Sequence, residues 1–125
     1  MIKILFVDDE KGITNLLRDF FKQRGFATFV ANSGEEAIEI VKKDKPDIVF
    51  LDIKMKGMSG IEALQEIKRY NSSIKVIVLT VLTEKHLIET VKSHGADDFI
   101  TKPFRVDYLE KVVIDKIQEL IGGKK

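Results

Sequence analysis

The sequence predicts an α/β fold: a single doubly wound sandwich in which five βα units build a parallel sheet covered by helices on both faces. Three observations carry this. Short apolar, β-favouring runs alternate five times with stripes of apolar residues at helical spacing. The runs expected as strands 1, 3 and 4 are apolar on both faces, as in parallel strands covered on each side. The length, 125 residues with 44% apolar side chains, suits one domain with a full core, and zero cysteines exclude a disulfide scaffold. Right-handed crossovers then favour the doubly wound arrangement.

The elements follow in order. Ile4-Leu5-Phe6-Val7 is the first strand and stops at two acids. Ile13, Leu16, Leu17, Phe20 and Phe21 fall on one face of the first helix, which Arg24-Gly25 ends. Phe26 to Val30 is a weaker second strand. Ser33 with Glu36 three residues on reads as a capping box for a helix carrying Ala37, Ile38 and Val41. Pro46 closes the next loop, and Ile48-Val49-Phe50-Leu51 is the third strand, ending at Asp52. Gly57 and Gly60 punctuate a loop before the helix of Ile61, Leu64 and Ile67. Val76-Ile77-Val78-Leu79 is the fourth strand, ending at Thr80; Leu87, Ile88 and Val91 mark a short helix that stops at Gly95. Phe99-Ile100-Thr101 is the core of the fifth strand, ending at Lys102-Pro103. Leu109, Val112, Val113, Ile117, Leu120 and Ile121 stripe the last helix, so the domain is expected over residues 1–121, with 122–125 a frayed tail.

Charge excludes some classes. The 21 basic and 20 acidic side chains nearly cancel, which argues against a dedicated nucleic-acid binder. No run approaches the ~18 apolar residues of a membrane span, and the apolar stretch before Asp8 is too short for a secretory signal. A cytoplasmic protein without membrane contact is expected.

In sheets of this kind ligands bind at the carboxyl ends of the strands. The first strand delivers Asp8 and Asp9 there, the third Asp52, the fourth Thr80 and the fifth Lys102. An Asp-Asp pair alone is more often a helix N-cap or solvated turn, Thr80 alone a β-former, and Lys102 alone a surface lysine; their joint arrival on one rim favours a site. Three carboxylates in one cleft repel each other, and a bound cation relieves that. With oxygen donors only and no cysteine, a hard ion such as Mg2+ fits. Metal, lysine and hydroxyl around a carboxylate are what phosphoryl transfer needs, and a carboxylate can itself be the nucleophile.

These pieces resemble the response-regulator receiver domains of two-component signalling, of the chemotaxis-regulator type. The resemblance rests on Val7-Asp8-Asp9-Glu10, Leu51-Asp52-Ile53-Lys54-Met55, Met58-Ser59-Gly60, Leu79-Thr80 and the run from Gly95 to Phe104 through Lys102-Pro103, in family order along the whole chain. It implies a flavodoxin-like sheet of order 2-1-3-4-5. It implies that Asp52 is the phosphoacceptor and that Asp9, Asp52 and the backbone carbonyl of Lys54 ligate Mg2+, with Asp8 acting through metal-bound water. Lys102 would pair with the phosphoryl group, Thr80 would move to hydrogen-bond it, and Phe99 would be the switch aromatic; core packing stays open as the alternative for Phe99. The Lys102-Pro103 peptide would be cis. The implied partners are a sensor histidine kinase or phosphotransfer protein and a downstream effector protein or domain, reached through helix 4, strand 5 and helix 5. A homodimer through that face has nothing in the sequence to support it.

Two departures bear on phosphoryl lifetime. Lys54 stands two residues after the acceptor, and Leu82, two after Thr80, cannot orient a water; slow self-hydrolysis is expected. Lys56 stands where many relatives carry proline. His86 and His94 read as surface residues, and Met55 and Met58 as loop packing. The rival readings are a haloacid-dehalogenase-like phosphatase, which wants an acid where Lys54 stands, a flavodoxin-like cofactor module, which wants a Ser/Thr/Gly loop where Asp8-Asp9-Glu10-Lys11-Gly12 stands, and a degenerate receiver that only binds. About twenty residues after Pro103 suffice for the last helix and no effector domain, so a stand-alone receiver and a piece of a longer chain are both open.

Overall fold

The computed structural model describes residues 1–81 and 85–122. The expected Leu82 role and the tail beyond Gly122 lie outside them. Five strands, β1 (Lys3–Val7), β2 (Ala27–Ala31), β3 (Ile48–Asp52), β4 (Lys75–Val81) and β5 (Asp98–Lys102), form one parallel sheet in the order β2-β1-β3-β4-β5. Between them run α1 (Lys11–Gln23), α2 (Gly34–Asp44), α3 (Gly60–Tyr70) and α4 (Lys85–Ser93). The last helix, α5, occupies 106–121 and contains a π-helical segment, Leu109–Val113. The fold class and strand order are those expected.

Alternation along the strands divides the core in two. Leu5, Val7, Val49, Leu51, Val76 and Val78 face α2, α3 and α4, meeting Ala37, Val41, Ala63, Leu64, Ile67 and Val91. Ile4, Phe6, Ile48, Phe50, Ile77, Leu79 and Ile100 face α1 and α5, meeting Leu17, Phe20, Phe21, Leu109, Val113 and Ile117. Phe6, Phe21 and Phe50 form a triangle with ring centroids 5.2–5.7 Å apart, and such pairs add about 0.5–1.5 kcal/mol each beyond area burial. Met55 and Met58 pack against the first half of the core.

Two stripe positions differ from expectation. Leu16 is 45% exposed, because the sheet covers Leu17, Phe20 and Phe21 and leaves Leu16 on the rim of an apolar groove with Ile13, Pro103 and Phe104. Val112 is 36% exposed, because the wider π turn puts Leu109, Val113 and Ile117 on the buried face at four-residue spacing. The caps also differ. Ser33 accepts from Glu36 N as expected, but the Glu36 carboxylate turns to Asn32 N instead of Ser33 N. The complete capping box belongs to Ser59 and Glu62 at the start of α3.

Gly60 is required by close approach. Its N–H donates to Ile53 O at 2.9 Å, and a Cβ there would lie 2.3 Å from Asp52 O and 2.5 Å from Ile53 Cα. The N-terminus of α3 is thereby pressed against the end of β3. No helix among the described residues is long and apolar enough to cross a membrane.

Candidate functional site

The sheet register brings the strand ends together. Val7 pairs with Leu51 and Asp52 with Leu79, so Asp8 lies one step beyond β1 and level with Asp52, with Thr80 a step further along β4. Thr80 pairs with Thr101, which places Lys102 at the same rim. One carboxylate oxygen from each of Asp8, Asp9 and Asp52 lies within 4.8 Å of the others. A cleft of about 160 Å³ opens above them, lined by Asp9, Glu10, Asp52, Lys54, Thr80 and Lys102 among others.

The three acids stand in different environments. Asp8 is fully buried and both its oxygens are engaged: Oδ1 accepts from Glu10 N at 3.0 Å and Oδ2 from Lys102 Nζ at 2.6 Å. The first bond turns the chain into α1, so Asp8 does serve as a local turn residue as well. Asp9 is exposed, and its Oδ2 accepts from Lys56 N at 3.3 Å. Asp52 is buried, with Oδ1 3.4 Å from Lys102 Nζ.

Burial and then the charge of Asp8 push the Asp52 carboxyl up to about 6, against the opposing pull of Lys102. Burial is therefore the leading cause, ahead of the repulsion among acids that the sequence led us to expect. Burial alone would lower the Lys102 ammonium; the hydrogen bond to Asp8 and the charges of Asp52 and Asp8 outweigh it and hold Lys102 above the ordinary lysine value. The donor set fits a hard divalent cation: three carboxylates, oxygen only, at the mouth of a cleft.

Thr80 is buried, and its hydroxyl donates weakly to Val81 O at 3.4 Å. Phe99 is half-buried, packed against the core on one side and topped by the Lys92 ammonium of α4, 5.4 Å from the ring centroid. The Lys102–Pro103 peptide is cis. Lys54 is exposed at the cleft. His86 is exposed, whereas His94 is half-buried and shares a hydrogen bond with Gln65 at 3.3 Å.

Sequence reasoning missed several supporting residues. The Ser59-x-x-Glu62 box before an apolar run was readable. The Lys92–Phe99 contact and the bond from Asn32 Nδ2 to Asp8 O leave no periodic trace.

Known proteins place these features in context. The family model described as the response regulator receiver domain matches residues 4–114. The chain is 42% identical over 111 residues to sporulation initiation phosphotransferase F of Bacillus subtilis, covering 89% of this chain and 90% of that one. It is 39% identical over 116 residues to the chemotaxis protein CheY of Thermotoga maritima, covering 88% and 96%. Among solved structures, the response regulator domain of Thermotoga maritima CheB superposes with a TM-score of 0.85 at 30% identity, over 100% of this chain and 99% of that one.

Proposed function

The chain belongs to the response regulator receiver domain family, and on that premise we propose that residues 1–121 act as the phosphoacceptor of a two-component relay, with Asp52 the acceptor. The observation that carries this is the placement of Asp52 at the end of β3, among Asp8 and Asp9, beside Lys102 at 3.4 Å and open to the cleft.

A sensor histidine kinase or phosphotransfer protein presents a phosphohistidine. An Asp52 carboxylate oxygen attacks phosphorus in line; the P–N bond breaks as the P–O bond forms, and the electron pair leaves on the imidazole nitrogen. Asp9, Asp52 and the Lys54 carbonyl would hold Mg2+ directly, with Asp8 behind them. When bound, Mg2+ supplies positive charge against the carboxylates and phosphoryl oxygens. The engagement of both Asp8 oxygens, against the open position of Asp9, supports that division. The ammonium of Lys102, already poised between Asp8 and Asp52, takes up a phosphoryl oxygen.

The modified Asp52 carries about −1.5 to −2 charge where the carboxylate carried −1, spread over three phosphoryl oxygens. Thr80, whose hydroxyl makes a long bond to Val81 O, turns toward the new oxygens. Phe99 then repacks, which requires parting from Lys92. A shift from 1:99 to 99:1 needs about 5.5 kcal/mol, within reach of a few charge-assisted hydrogen bonds at roughly 1.5–3 kcal/mol each. The surface of α4, β5 and α5 carries the change to an effector protein or domain. This is a signalling role rather than that of a metabolic enzyme.

The test is incubation with acetyl phosphate and Mg2+, read by intact mass. A phosphoryl adduct that is absent in Asp52→Ala supports the reading; a protein labelled neither by acetyl phosphate nor by a cognate kinase overturns it in favour of a binding-only receiver.

A further inference from the structure

Behind the acid pair lies a small polar network that the transfer step itself does not use. Asn32 follows the last residue of β2, and its Nδ2 donates to two acceptors, Asp8 O at 2.9 Å and Thr14 Oγ1 at 3.2 Å. Thr14 is fully buried on α1, and its hydroxyl donates to Lys11 O at 3.1 Å, so its free lone pair faces Asn32. The backbone of Asn32 is fixed in turn, since its N–H donates to Glu36 Oε1 at 2.8 Å. Asn32 is therefore held from α1 and from α2, and it points at one carbonyl.

That carbonyl matters because of what it joins. Asp8 O belongs to the peptide between Asp8 and Asp9, whose atoms lie in one plane. The β1 ladder pairs end at Val7, so the Asp8 carbonyl stands one step past the regular sheet. Rotating this peptide would swing the Asp9 Cα and its carboxylate relative to Asp8, whose own side chain is anchored by Glu10 N and Lys102. The Asp8 N–H is already fixed by Ala31 O at 3.2 Å.

We infer that Asn32 is a positioning residue of the metal centre: by holding the Asp8–Asp9 peptide plane it sets the relative aim of the two carboxylates, and Thr14 holds Asn32 in place. The inference rests on the reading of the acid cluster as a divalent-cation site. Partners one shell out from metal ligands commonly govern affinity by 10–100-fold, roughly.

The experiment titrates the whole chain with Mn2+, free ion being followed by its paramagnetic resonance signal, and records the thermal melt of each metal-free variant. Asn32→Ala is expected to weaken Mn2+ binding about tenfold. Thr14→Val should weaken it in the same direction, and Thr14→Ser, which keeps the hydroxyl, should bind within about twofold of the unchanged protein. A purely structural role would lower the melting temperature in step with affinity; the positioning role predicts loss of affinity in variants that remain folded at the assay temperature. Unchanged Mn2+ affinity in folded Asn32→Ala overturns the inference. If that variant does not fold, equal affinities for Thr14→Val and Thr14→Ser overturn it instead. Failure of the unchanged protein to bind Mn2+ would sink the cation-site reading itself, a separate result.

Discussion

Lys102 donates to Oδ2 of Asp8 across 2.6 Å, nearer than its 3.4 Å approach to Oδ1 of Asp52. The resting lysine is thus a counter-ion for the deepest acid, ahead of the phosphoryl contact proposed for it. Lys102→Met leaves the Asp8 carboxylate, with its side chain 1% exposed, without its cation. Breaking such a pair costs on the order of 3 kcal/mol, so the metal-free variant should unfold at lower denaturant. Its Mn2+ affinity should rise, because a competing positive charge has gone. Denaturation and metal titration check both directions; equal stability would show that the pair contributes nothing.

Asp52 gives a pH signature. Its folded value of about 6 exceeds the ordinary 3.8, so between those pH values the folded protein binds more protons than the unfolded chain. Stability from this group is fully present below 3.8 and is lost as pH rises through about 6. Asp52→Asn removes the buried charge. In metal-free buffer it should be more stable than the unchanged protein at pH 7.5, by roughly 1–3 kcal/mol, and the gap should close toward pH 4. A gap that widens on acidification would contradict the burial argument.

Gly60→Ala tests the seating of β3. The added methyl would lie 2.3 Å from Asp52 O, a distance only backbone movement relieves, at the residue proposed as the acceptor. We expect a loss of about 1–3 kcal/mol and slower labelling of Asp52 by acetyl phosphate. Labelling at the original rate in a folded variant would show that the α3 start and the acceptor move independently.

Phosphoryl lifetime tests Lys54 and the sequence expectation for Leu82. Lys54 is exposed beside the cleft, and Lys54→Asn with Leu82→Glu should shorten the life of the phosphorylated form several-fold by admitting and orienting water. An unchanged decay rate, followed by loss of the adduct in intact mass, would remove both residues from the account.

The gathering of these side chains was legible because polarity interrupts an apolar run where a parallel strand ends, at Asp8, Asp52 and Thr80, with Lys102 one residue past Thr101. What sequence left obscure is sideways. Leu16 obeys the α1 period but overhangs the sheet, and Val112 obeys the α5 period until the π turn shifts it. Asn32 and Thr14 meet across 18 positions, through a side-chain amide that has no periodicity to reveal it. Phe99 packs on the core and under Lys92, a cation that sequence spacing does not bring to it.

The most direct measurement traps the acceptor itself. After exposure to acetyl phosphate and Mg2+, borohydride reduction converts an aspartyl phosphate to homoserine, which peptide mass mapping places in the chain. Homoserine at position 52 and at neither 8 nor 9, dependent on Mg2+, is the predicted result. Unreduced Asp52 in a sample that carries the phosphoryl adduct, or homoserine at another acid, would contradict Asp52 as the phosphoacceptor.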